Sequence, residues 1–119
     1  MTPGTVKFTN GATVKVDIVE KPEEQRRGLM DRTELPEDAG MLFWLGVRDD
    51  HGFWMKRTRI PLDLLFIDHD RVVGVLTLAP LDEKLHRIGR PSTTVLETNG
   101  GWANRHGVGV GTKVTISLD

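Results

Sequence analysis

Between Gly40 and Asp68 the chain reads GMLFWLGVRDDHGFWMKRTRIPLDLLFID, and no other stretch limits the possible folds so strongly. It holds two of the three Trp, three of the four Phe and two of the four Met, so it must supply much of the core. Leu62–Ile67 is apolar on both faces, as a central strand covered from two sides would be. Polar groups set inside such a run must find partners or have work to do. Those groups are the cationic segment Lys56-Arg57-Thr58-Arg59 and the acid Asp63, flanked on each side by Leu.

Strand-length patterns recur along the chain. Val6 and Phe8 alternate before Asn10-Gly11, and Val14, Val16 and Ile18 alternate after it. Asn-Gly between alternating runs predicts a hairpin on a type I′ turn, which needs positive φ at both central residues. Met41–Leu45 and Phe53–Met55 read as strands joined by the polar turn 46–52. Asp68-His69-Asp70 turns Leu62–Ile67 into a strand over Val72–Leu78. Thr93–Glu97 and Lys113–Leu118 complete the set.

Two helices are expected. From Pro22 to about Arg32 the sequence PEEQRRGLMDR puts Pro and two acids at the N-terminal end and Arg toward the C-terminal end. That predicts two or three turns, weakened at Gly28, with Leu29 and Met30 packed inward. Asn99 is predicted to cap a short helix through Trp102 to His106, ended by Gly107. The thirteen Gly and six Pro read as frequent turns. The fold class predicted is all-β: a compact β-sandwich or distorted barrel of about eight short strands with one or two short helices. At 119 residues the chain is expected to form a single domain over 1–119.

Composition narrows function by exclusion. A formal net charge of −1 argues against a protein built to neutralise a phosphate backbone, so no nucleic-acid partner is expected. Without Cys there is no disulfide, thiolate metal site or Cys nucleophile. No basic-then-apolar leader opens the chain and no run is long enough to span a bilayer, so a soluble, cytoplasmic protein is expected. An exported protein trimmed of its leader would begin the same way.

The candidate site residues are Trp54, Lys56, Thr58, Asp63 and Glu97. Asp63 reads in two ways: a ligand-binding carboxylate or general base, or an acid after Pro61 that accepts backbone N–H bonds. On a continuing strand, Lys56 and Thr58 would share a face with Trp54 and line a pocket, with Arg57 and Arg59 pointing to solvent. Glu97, before a Gly turn, could oppose Lys56 across that pocket or form an ordinary salt bridge. No cofactor motif is legible. His51, His69, His86 and His106 lack metal-ligand spacing, and Gly107-Val108-Gly109-Val110-Gly111 leads into a strand where a dinucleotide loop would need a helix. Lys84, His86, Arg87 and Arg90 form a basic cluster read as a solvated loop.

Five blocks follow one another in a recognisable order: Gly28-Leu29-Met30, Gly40-Met41-Leu42-Phe43, Phe53 to Thr58, Pro61-Leu62-Asp63 through Phe66-Ile67-Asp68, and Val95-Leu96-Glu97. That succession resembles the bacterial and archaeal family called domain of unknown function 192, over roughly residues 12 to 118. The resemblance implies a compact β-rich domain with no established activity. Its signature positions carry over here as Gly28, Met30, Phe43, Trp54, Met55 and Lys56, and as Thr58, Pro61, Leu62, Asp63, Phe66 and Glu97. Many relatives carry an export signal, and many hold Cys in the loop that here reads PLDEKLHRIGRP.

Three functional readings follow. The first is a binding module that takes a small polar or anionic ligand, saccharide-like or another metabolite, between Trp54, Lys56, Thr58, Asp63 and Glu97. The second is an acid–base hydrolase whose catalytic pair is Asp63 and Glu97, which requires both carboxylates to face one cavity. The third is an accessory module whose protein partner docks on exposed Trp44 or Trp102.

Overall fold

The alternating N-terminal run forms the expected hairpin in a computed structural model that describes all 119 residues. Strand β1 (Thr2–Phe8) pairs antiparallel with β2 (Thr13–Val19), Val6 opposite Val14. The turn is not type I′, because Gly11 takes φ 96 while Asn10 does not adopt positive φ. Asn10 is occupied elsewhere: Oδ1 accepts from the Ala12 N–H, and Nδ2 donates to the carbonyls of His106 and Gly107. Ladder pairing therefore stops at Lys7 and Thr13, leaving a loop longer than two residues.

Helix α1 (Pro22–Arg27) begins on Pro, with Glu23 and Glu24 first and Arg26 and Arg27 last. It is shorter than predicted because Gly28 leaves the helix at φ 50, ψ −128, a conformation open to residues without a Cβ. Leu29 is buried as expected and Met30 half-buried. Strand β3 (Ala39–Asp49) is longer than predicted and absorbs part of the expected 46–52 turn; Gly46, at φ 78, lies where its pairing slips register. Phe53–Met55 forms no strand. Phe53 makes a single bridge to His86, and a turn at Met55–Thr58 follows, with Arg57 at φ 55.

Strands β4 (Leu62–Asp68) and β5 (Arg71–Leu78) form the second expected hairpin, turning at His69-Asp70 with His69 at φ 57. Strand β6 (Ser92–Asn99), helix α2 (Trp102–Arg105) and strand β7 (Val114–Leu118) finish the chain. Asn99 does not cap α2; its side chain donates to the carbonyls of Leu35 and Pro36.

The seven strands make one sheet in the order β5-β4-β6-β3-β2-β1-β7, with β2 and β3 parallel and every other pair antiparallel. At one end the two edges meet. Arg71 bridges Lys113, the Val72 N–H donates to the Thr112 carbonyl (3.0 Å), and the Gly111 N–H donates to the Val72 carbonyl (2.8 Å). The sheet thus curls into a half-barrel, the barrel form of the all-β expectation, with seven strands in place of about eight.

Side chains alternate across the sheet and divide the core in two. Val6, Val14, Ile18, Leu42, Leu65 and Leu96 fill the inner face, closed by Trp102 of α2. Met41, Phe43, Leu62, Leu64, Phe66 and Val95 form the outer face, covered by Leu29, Leu35 and Met55 from the connecting segments. Strand β4 is buried from Leu62 through Ile67, which explains why it reads as apolar on both faces. No helix is long and apolar enough to cross a membrane.

Candidate functional site

Glu97 lies on the outer face of β6, between Met41 on β3 and Leu64 on β4. Apolar neighbours on both sides strip its carboxyl of water, and the residue is only 5% exposed. Burial pushes its pKa up to about 8, so the group carries its proton at neutral pH. Its Oε1 is buried with no hydrogen-bond partner. Residue 28 passes close above: a Cβ there would stand 3.7 Å from Glu97 Oε1 and 3.4 Å from Phe43 Cζ. A glycine lets the chain come down over the acid without covering it.

A cavity of about 330 Å³ opens at this point. Phe43 and Phe53, packed edge to face at 5.2 Å, form one wall, and Trp54, Lys56 and Thr58 line it with Glu97. Lys56 Nζ stands 5.2 Å from the centre of the Trp54 ring, a cation–π contact that holds the ammonium at the surface. Thr58 is buried, and its hydroxyl donates to the Lys56 carbonyl (3.3 Å). Arg26, Arg27 and His51 also line the cavity, and the two arginines add positive charge.

The backbone around this cavity is held in unusual conformations. Asp31, Arg57 and Leu81, at φ 65, 55 and 65, are three of the four non-glycine residues with positive φ. They tie three segments together. The Asp31 N–H donates to the Arg57 carbonyl (2.8 Å), the Arg57 guanidinium pairs with the Asp31 carboxylate, and the Leu81 N–H donates to the Thr58 carbonyl (2.9 Å). Such residues persist where the surroundings over-determine them, and they cluster at ligand clamps and active sites.

Asp63 takes the second of its two readings, an acceptor of backbone N–H bonds, and its place in the pocket is corrected. It lies opposite Thr98, one register step from the Leu64–Glu97 pair, so its side chain faces the inner side of the sheet. There the carboxylate accepts three bonds, from Thr77 Oγ1 (2.6 Å), the Gly101 N–H (2.8 Å) and the Ala103 N–H (2.9 Å). It holds the first turn of α2, which has no side-chain cap of its own. Asp63 therefore leaves the list of pocket residues, and the Asp63–Glu97 acid–base pair falls with it.

Of the other residues singled out in the sequence, Trp102 is fully buried, which removes it as a docking residue, while Trp44 is 48% exposed. His86 bonds Asp82 and Arg87 donates to the Asp50 carbonyl, so the basic loop is tied down and not merely solvated. Arg26, Arg27 and His51 were not legible as lining residues, and Gly28 stood only among the positions that the family resemblance carries over. The one available signal was Gly28, a helix breaker placed directly after the paired arginines.

The family model of domain of unknown function 192, described as Uncharacterized ACR, matches residues 5–116. The chain belongs to this family. A crystal structure from Sinorhizobium meliloti 1021, whose description proposes a transcription regulator, superposes with a TM-score of 0.89 at 31% identity, covering 95% of this chain and 92% of that one. A protein of unknown function from Novosphingobium aromaticivorans DSM 12444 superposes with a TM-score of 0.87 at 40% identity, covering 95% and 83%. No curated protein matches.

Proposed function

We propose that the outer-face cavity binds a small polar or anionic molecule of the sugar-acid type. The observation that carries this reading is Glu97: a buried carboxyl with an unpartnered oxygen at a lined cavity. Leaving a polar atom unpaired in the interior costs about 1–3 kcal/mol, and a ligand hydroxyl would recover it. Protonated Glu97 can donate one hydrogen bond and accept others, which suits a hydroxylated ligand. Lys56, Arg26 and Arg27 favour a negative group, and the Trp54 ring supplies a flat apolar edge.

The test is titration of isotope-labelled protein with glucuronate, glucose and glucose phosphate, followed by two-dimensional NMR. Saturable shifts at Gly28, Trp54, Lys56 and Thr58 are expected with the charged sugars. Lys56→Ala and Glu97→Ala should each weaken that binding roughly tenfold, a loss of about 1.4 kcal/mol. Affinity should also fall above about pH 8, where Glu97 loses its proton. No saturable response across sugar acids, sugar phosphates and neutral sugars would overturn the proposal, as would binding unchanged in both variants.

A further inference from the structure

A second cavity, of about 630 Å³, lies where the half-barrel is splayed open, bounded by β3 near Gly46, the β4–β5 turn, β6 and β7. Its size falls within the roughly 300–1,000 Å³ usual for small-molecule sites, and barrel mouths are a common place for them. Trp44, Val47 and Ile116 supply its apolar lining. Trp44 is 48% exposed and Val47 63% exposed, large apolar side chains left uncovered beside a concavity. A smaller cavity shares Trp44 and Ile116 and continues the apolar surface to Ile18 and Leu118.

Thr94 also lines the larger cavity, paired across the sheet with Trp44 and Ile67. The residue is 3% exposed, and its Oγ1 is buried with no partner. Its neighbour Thr93 shows the ordinary alternative: that hydroxyl accepts from the His69 N–H (3.0 Å) and donates to the Ile67 carbonyl (3.2 Å). An unused hydroxyl beside an exposed indole offers one hydrogen bond next to the apolar part of the lining. The ionisable side chains of the lining are Arg48 and His69, both basic. Arg48 is fixed by Nε and Nη2 bonds to Asp68, each 2.9 Å at its shortest.

We infer that the mouth of the half-barrel is a second binding site, for a small aromatic acid. Its ring lies against Trp44 and Ile116, an acceptor atom takes the Thr94 hydroxyl proton, and its negative end faces Arg48 and His69. The site shares no lining residue with the Glu97 cavity and does not depend on the function proposed there.

Naphthoate is a suitable probe, titrated into the full chain by two-dimensional NMR with naphthalenemethanol as the neutral control. Saturable shifts are expected at the Trp44 indole, Val47, Thr94 and Ile116. Thr94→Val keeps the shape and removes the hydroxyl, and should weaken naphthoate roughly tenfold. Trp44→Ala should abolish saturation, while Glu97→Gln should leave affinity unchanged. The inference is overturned by absence of saturation at millimolar naphthoate, by unchanged affinity in both Trp44→Ala and Thr94→Val, or by shifts confined to the Glu97 cavity. Equal affinity for naphthalenemethanol would overturn the assignment of an acid.

Discussion

Asp63 and Glu97 are both carboxyls, both buried, and stand on adjacent strands one register step apart. The inner face gives Asp63 three donors, two of them backbone N–H groups at the start of α2. The outer face gives Glu97 Oε1 none. Burial alone therefore says little about what an acid does. The number of donors aimed at it separates an acid that holds the fold together from one the fold merely tolerates.

The largest expected effect tests the first half of that contrast. Asp63→Ala should lower unfolding stability by about 4 kcal/mol in a urea titration, since it orphans a buried and a half-buried N–H group at about 1–3 kcal/mol each and a hydroxyl besides. A loss below about 1 kcal/mol would break the contrast.

The next effect tests Glu97. A carboxyl whose folded pKa exceeds its unfolded value holds its proton more tightly when folded. Its contribution is most favourable below about 4.5 and is lost as pH rises toward about 8. Glu97→Gln removes this dependence. Relative to wild type, the variant should gain about 2–3 kcal/mol between about pH 5 and about pH 7, from 1.36 kcal/mol per pH unit. Parallel stability curves for the two proteins would show that Glu97 is not desolvated as the fold implies.

Smaller effects sharpen the picture of the cavity's surroundings. Gly28→Ala forces a Cβ into a conformation that glycine accepts and should cost about 1–2 kcal/mol by thermal or urea unfolding. It should also perturb the Glu97 resonances, which lie 3.7 Å from the new methyl. Arg57→Gly relieves positive φ but removes the exposed ion pair to Asp31, and the two should cancel to within about 1 kcal/mol. A larger loss would mean that this ion pair clamps the cavity.

Much of the strand framework was legible because it rests on local signals. Alternation gave the first hairpin, the Asp68-His69-Asp70 turn gave the second, and the apolar run of Leu62–Ile67, broken only by Asp63, gave the central strand. That Asp63 accepts backbone N–H bonds was one of its two readings; which groups donate was not legible, because Thr77, Gly101 and Ala103 lie at least fourteen residues away. The separation of Asp63 from Glu97 depends on strand register, which no short window contains. Phe53–Met55 failed as a strand because its neighbours impose a turn: Arg57 takes positive φ and bonds Asp31, a contact spanning twenty-six residues. Trp44 and Trp102 look alike in the sequence, yet one closes the inner core and the other stands at the rim.

The lining of the Glu97 cavity comes from Gly28, Phe43, the Trp54–Thr58 segment and Glu97, and neither hairpin of the fold contains any two of them. In folding terms the cavity has no local precursor. It can form only after β6 has inserted between β3 and β4, a step that closes long loops and belongs to the slow, non-local part of assembly. Fragments that keep either hairpin would keep some strand structure and none of this chemistry.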